Sequence, residues 1–281
     1  MKTIRIAGVP EHFNLPWHLC IENGEFNEVD IDLQWTDVPE GTGKMCQMLR
    51  DNETDIAIIL TEGILKDISN GNPSSIVQIY VQSPLLWGIH VGAQSAYQKL
   101  SDLKGKKAAI SRIGSGSQLM SIVNAKNEGW DTQNIPFEIV NTIDGAVTAL
   151  TNGTADYFMW ERFMTKPLVD NGTFRHLGDC PTPWPSFVIA VRNDVLATDK
   201  HVIDQILEII NTTTREFKEI PSIDRTLANR FNQKKEDIQE WLQLTRWSQK
   251  KPDKKTFEKI QNQLFDLNII ETKAAYESVI K

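Results

Sequence analysis

Asp55-Ile56-Ala57-Ile58-Ile59-Leu60 sets one acid in front of five apolar residues, with no polar position inside the run. A sheet with one wet face needs a polar residue at every second place, so this run fits a short parallel strand covered on both faces. Residues 4–7 precede it as a first strand. Between the two, Val29, Ile31, Leu33 and Trp35 alternate with Asp30, Asp32 and Gln34, the period-two pattern of a strand with one solvated face, placed nearer a sheet edge. Residues 75–82 and 87–91 continue the series.

Past Leu100 a fresh set begins. Residues 107–111, 137–141 and 156–160 read as strands, with helical stretches near 117–127 and 144–151 between them. Such alternation predicts parallel sheets covered by helices, here in a second α/β set. Phe187-Val188-Ile189-Ala190-Val191 is a further strand, and after it only helices follow. Ile203, Ile206, Leu207, Ile210 and Phe217 share one helical face, as do Phe257, Ile260, Leu264 and Leu267. The basic runs at 234–235 and 250–255 read as solvated faces.

With 281 residues, 40% hydrophobic and 24% charged, the chain has ordinary globular composition and enough length for one large or two medium domains. The formal charge is −7; residues 200–281 hold 15 bases against 13 acids, so the other 199 residues carry −9. An acidic bulk repels a phosphate backbone, whose binding rests on Lys and Arg, and no nucleic-acid partner is expected. Cys20, Cys46 and Cys180 are too few and too widely spaced for a disulfide framework or a paired metal motif. His12, His18, His90, His176 and His201 show no metal-ligand spacing either. No apolar run approaches the roughly 18 residues of a membrane span, so direct membrane insertion is not expected. A strand that begins at Ile4 leaves no room for the roughly 7 to 15 apolar residues of a secretory signal. A cytoplasmic location is therefore expected, or a periplasmic one if a leader has been removed.

Several segments, in order, resemble one known family. They are Ile4-Arg5-Ile6-Ala7-Gly8 with Pro16-Trp17-His18-Leu19-Cys20-Ile21-Glu22-Asn23-Gly24-Glu25-Phe26, then Met48-Leu49-Arg50-Asp51-Asn52-Glu53-Thr54-Asp55-Ile56-Ala57. Leu100-Ser101-Asp102-Leu103-Lys104-Gly105-Lys106-Lys107, Gly114-Ser115-Gly116-Ser117 and Ala149-Leu150-Thr151-Asn152-Gly153-Thr154-Ala155-Asp156-Tyr157 follow. The family is that of the type II periplasmic binding proteins of the nitrate/sulfonate/taurine class, related to fungal thiamine-pyrimidine precursor synthases. The resemblance implies an α/β fold of two Rossmann-like lobes joined by a two-crossing hinge, lobe I being 1–88 with 188–281 and lobe II 89–187. It also implies a solute-binding function, with closure on a small organic ligand that is anionic or polar, or heteroaromatic. A transporter permease is the implied partner if the chain is exported.

In open parallel sheets a ligand sits beyond the carboxyl ends of the strands, and helix N-termini there present free N–H groups to anions. Gly114-Ser115-Gly116-Ser117 lies between a strand and a helix, and reads either as a polar anchor or as a turn with a Ser N-cap. Ser111 just before it can add a donor. Gly41 and Thr42 open a helix after the second strand, with contact and capping as the two readings. Glu11, His12 and Phe13 after the first strand, and Thr61 and Glu62 after the third, complete the rim. Phe13, Trp160 and Trp184 are candidate walls for a flat or apolar ligand body, with plain packing as the alternative for the tryptophans. Glu161 either hydrogen-bonds the ligand or pairs with Arg162.

Enzyme signatures are sparse. No Gly-Lys-Ser or Gly-Lys-Thr follows a Gly-rich loop at P-loop spacing, and there is no Gly-x-Ser-x-Gly elbow. The enzymatic alternative is a thiamine-pyrimidine-precursor-synthase-like or other cofactor-dependent protein of the same fold; the first would need an iron motif rich in Cys, which is absent. The reading leans to a non-enzymatic binder without a cofactor.

Overall fold

The computed structural model describes residues 1–281. The chain runs through β1 (Lys2–Gly8), α1 (Leu15–Glu22), β2 (Ile31–Asp37), α2 (Thr42–Arg50), β3 (Ile56–Leu60), α3 (Thr61–Ser69) and β4 (Ser74–Val81). Next come β5 (Leu86–Gly92), β6 (Ala108–Ile110), α4 (Gly116–Asn127), β7 (Phe137–Ile139), α5 (Ile143–Asn152), β8 (Tyr157–Glu161), α6 (Arg162–Asp170) and β9 (Phe174–Pro181). It ends with β10 (Phe187–Arg192), α7 (Asn193–Thr198), α8 (Lys200–Glu216), α9 (Ile223–Arg230), α10 (Lys235–Leu244), α11 (Lys254–Asp266) and α12 (Tyr276–Val279).

Two compact units divide these elements: Met1–Ser83 with Trp184–Lys281, and Pro84–Pro183. The boundaries fall at 83/84 and 183/184, a few residues before the 88/89 and 187/188 expected from resemblance. Strand pairing is the reason. Leu86 to Gly92 pairs along its whole length with β9, whereas Phe187 pairs with Leu60 and Val81 of the other unit.

The first unit has a five-stranded sheet in the order β2-β1-β3-β10-β4. β1, β2 and β3 are parallel, with Ile6 beside both Trp35 and Ile56, and β10 runs antiparallel to β3 and β4. The apolar run after Asp55 forms β3, whose Ile56, Ala57, Ile58 and Ile59 are all buried, as an inner strand packed on both faces requires. β2 lies at the edge. It begins at Ile31 rather than Val29, because Asp30 takes a left-handed φ of 61° and Val29 ends a 3-10 turn. Ile203, Ile206 and Ile210 of α8 are buried, as are Phe257, Ile260 and Leu264 of α11, which turn their apolar stripes inward.

The second unit repeats the theme with the order β7-β6-β8-β5-β9. β6, β7 and β8 are parallel, and β5 runs antiparallel to β8 and β9. Ala109, Ala146, Ala149, Phe158 and Phe174 form part of its core. β9 had no strand pattern in the sequence, because much of Phe174-Arg175-His176-Leu177-Gly178-Asp179 is only half-buried at a sheet edge. Cys20, Cys46 and Cys180 are free and buried, and no helix is long and apolar enough to cross a membrane.

Candidate functional site

In the first unit the segments after β1, β2, β3 and β4 and the segment before β10 all leave the same edge of the sheet, the carboxyl edge where α/β sheets take ligands. Phe187 pairs with Leu60, which sets the chain entering β10 beside the start of α3. Two contacts fasten it there. Thr61 donates its hydroxyl to the Pro185 carbonyl at 2.6 Å, and the Trp184 indole Nε1–H donates to Glu62 Oε2 at 2.7 Å. Glu62 is 2% exposed and its Oε1 has no hydrogen-bond partner. Burial pushes its carboxyl up to about 7, against the downward pull of its own backbone N–H and of Trp184.

Glu11 precedes a 3-10 turn of His12, Phe13 and Asn14, and burial raises its carboxyl to about 7 as well. His12 is fully buried, with Phe231 at 4.6 Å and Trp241 at 5.1 Å between ring centroids. Burial lowers its imidazole to about 4, so it is neutral near pH 7. Phe13 departs from the aromatic wall expected of it. Its ring packs on Phe187 at 5.0 Å and Trp241 at 5.2 Å, and its carbonyl accepts from Tyr80 Oη at 2.6 Å and from Trp247 Nε1 at 3.3 Å. It is core, because in its 3-10 turn the ring gains more from packing on Phe187 and Trp241 than from a rim position.

Gly41 has a φ of 78°, a conformation that favours glycine, and leads into α2. Thr42 opens that helix without a side-chain cap on it; its methyl faces Gly63 so closely that a Cβ there would lie 2.2 Å away. Thr42 thus packs α2 against α3.

The second unit gathers the segments after β6, β7, β8 and β9, and the start of β5, on the carboxyl edge of its own sheet. The Gly114 to Ser117 loop is bonded to itself. Ser117 Oγ accepts the Ser111 N–H at 3.0 Å and lies 3.0 Å from Ser115 Oγ, while Ser115 caps α4 through the Gln118 N–H. Gly114, at a φ of 78°, donates its N–H to Gln118 Oε1, and Gly116 is the first residue of α4. Of the two readings of this loop, the capped turn is present, and both hydroxyls are buried in it.

Glu161 caps α6 by accepting the Met164 N–H at 2.7 Å. Arg162 reaches Asp179 at 3.2 Å, and Asp179 also meets His176 at 2.8 Å. Trp160 stacks on Phe158 at 5.4 Å and meets the edge of Trp87 at 6.3 Å. At the opposite, amino end of β8, Tyr97, Leu150, Asn152 and Asp156 line a cavity of about 760 Å³. Two of its polar side chains are engaged with each other, Tyr97 Oη donating to Asp156 at 2.6 Å.

Sequence reasoning found the rim residues one loop at a time, and missed what joins them. Trp184 and Glu62 lie 122 positions apart, and no local pattern announces their bond. Trp241 and Asp179 also escaped notice.

Comparison with known proteins adds the relatives. A family described as Ca3427-like PBP matches residues 87–180. The structure of the Candida albicans CA3427 gene product, described as defining a new family with the generic periplasmic binding protein fold, is similar with a TM-score of 0.91 and 28% identity, over 100% of this chain and 96% of that one. The alkanesulfonate-binding protein SsuA of Xanthomonas axonopodis pv. citri, bound to MOPS, is similar at a TM-score of 0.84 and 14% identity, over 100% and 98% of the two chains. The aliphatic sulphonate binding protein SsuA of Escherichia coli gives 0.77 and 17%, over 100% and 92%. No curated protein matches by sequence. By its two five-stranded sheets, its two chain crossings and these likenesses, the chain has the generic periplasmic binding protein fold.

Proposed function

We propose that this protein binds one small polar organic solute, an organic anion or a heteroaromatic, and that binding is coupled to hinge motion at the two crossings. The observation that carries the reading is the first unit's rim. There a buried acid, Glu62, and an indole, Trp184, are locked together at the carboxyl edge of an open α/β sheet, where ligands of such sheets are held. The SsuA likenesses support a solute-binding role in general, and the family descriptions point the same way. If the protein is exported, a transporter permease is its partner.

Native mass spectrometry of the gently purified chain tests the proposal, followed by thermal-shift screening with a mixed library of alkanesulfonates, carboxylates and nitrogen heteroaromatics. A retained small organic mass, or a library member that raises the melting temperature at one-to-one stoichiometry, is the expected result. Retention of pyridoxal phosphate or iron would instead favour an enzyme. No binding to any library member, and no retained mass, would overturn the solute-binding reading.

A further inference from the structure

Glu62 carries a hydrogen-bonding imbalance. A carboxylate offers acceptor sites on both oxygens and no donor. Oε2 is met by the Trp184 indole, whereas Oε1 is buried and met by nothing. No ion pair of the chain involves Glu62 or Glu11. The start of α3 offsets part of the negative charge through the helix dipole, but helix N–H groups leave Oε1 unfilled. Buried carboxylates are ordinarily both paired and hydrogen-bonded, and this one is neither in full.

Its surroundings repeat the imbalance. β1 and β3 are adjacent parallel strands with Gly8 beside Ile58, so Glu11 and Glu62 leave the sheet on the same edge from neighbouring strands. His12, beside Glu11, is fully buried and packed against the rings of Phe231 and Trp241. Two carboxyls on two neighbouring segments, the turn after β1 and the start of α3, therefore present acceptor capacity without an ion pair to either. Burial holds both carboxyls near 7, the behaviour of acids waiting for a positive partner.

We infer that the ligand of the first unit's rim presents a nitrogen group with N–H donors, an ammonium, an amidinium or a protonated ring nitrogen, to Oε1 of Glu62. This deepens the solute-binding reading and rests on it. The Trp184 indole, tied to the same carboxyl, offers an aromatic surface beside the nitrogen group, an arrangement that favours a cation over an anion. The second unit's loop gives no opposing signal, because the hydroxyls of Ser115 and Ser117 are already bonded within it. Among the solutes considered, a nitrogen-bearing heteroaromatic is thereby preferred to a simple organic anion.

Benzamidinium and benzoate, which share a ring and differ in the charge and donors of their head group, test the inference by titration calorimetry on the full chain. Benzamidinium is expected to bind at least tenfold more tightly than benzoate. Glu62→Gln, which keeps an acceptor for Trp184 but replaces the second oxygen with an amide NH2, is expected to weaken benzamidinium at least tenfold. Its circular dichroism and melting curve check that it folds, and the wild-type comparison decides the matter if it does not. Benzoate binding as tightly as benzamidinium, no benzamidinium binding at millimolar concentration, or a Glu62→Gln variant of unchanged affinity would each overturn the inference. Those results leave the solute-binding reading standing so long as any member of the mixed library binds; only failure of the whole library removes both.

Discussion

Ser117 Oγ accepts the backbone N–H of Ser111 at 3.0 Å, which closes the loop after β6 upon itself. Ser117→Ala is therefore expected to destabilise the fold by about 1–3 kcal/mol, the cost of leaving a buried donor unpaired. Ser115→Ala, which removes the α4 cap, is expected to cost about 1 kcal/mol. Urea unfolding of the two variants measures both. Full stability of Ser117→Ala would show that the hydroxyl is spare and available to a ligand.

The contact between α2 and α3 is equally specific. A Cβ on Gly63 would lie 2.2 Å from the Thr42 methyl, so Gly63→Ala should destabilise by roughly 1–3 kcal/mol through overpacking. Thr42→Ser deletes that methyl. In a double-mutant cycle, Thr42→Ser should recover at least half of the loss caused by Gly63→Ala; simple additivity would place the strain elsewhere.

Asp55 stands in front of the apolar run of β3 and holds two strands at once. It accepts from the Arg5 backbone N–H at 2.8 Å, pairs with the Arg5 guanidinium at 2.6 Å and lies 3.5 Å from Arg192 of β10. Asp55→Asn should cost roughly 2–4 kcal/mol, since Arg192 is mostly buried and loses a countercharge. Thermal unfolding reads the loss, and a change below about 0.5 kcal/mol would show that Asp194 alone satisfies Arg192.

The buried acids and histidines act on stability in opposite senses. Glu62 titrates near 7 in the folded chain against an ordinary 4.5, so the folded state holds a proton that the unfolded state has lost. Its contribution is neutral below about pH 4.5, falls as pH rises toward 7, and stays unfavourable above that. His12 and His90, lowered to about 4 from 6.5, contribute the reverse: stability is gained from pH 4 to 6.5 and lost on acidification. Glu62→Gln removes only the first effect. Its melting temperature relative to the wild type should therefore rise between pH 5 and pH 8, by the equivalent of about 1–3 kcal/mol. Parallel curves for the two proteins would contradict the upward shift of Glu62.

Much of the architecture could be read from periodicity, because an inner parallel strand such as β3 and an amphipathic helix such as α8 each have one sequence pattern. β9 could not, since an edge strand half open to water keeps polar residues at both kinds of position. The rim loops were legible as places, from the rule that ligands gather at strand carboxyl ends. Their internal bonding was not. Whether the Ser117 hydroxyl faces a ligand or the Ser111 N–H depends on a loop closure that neither residue type encodes, and Phe13 was assigned to a wall when residues more than 200 positions away, Trp241 of α10 and Trp247 beyond it, claim its ring and carbonyl.

The two chain crossings are clamped on either side. Within the first unit, Ser186 donates its hydroxyl and its N–H to the Ser83 carbonyl at 2.8 and 3.3 Å. Within the second, Leu85 and Thr182 exchange two hydrogen bonds of 3.0 Å. Each unit thus has its cut ends already side by side, which is the condition for one gene segment to be carried inside another without disturbing its host. The stretch from Pro84 to Pro183 behaves in this respect as a cassette: bridging Ser83 to Trp184 with a short turn should leave a continuous first unit, and the excised piece, its own ends adjacent, is suited to circular permutation or to transplantation into another sheet of the same kind.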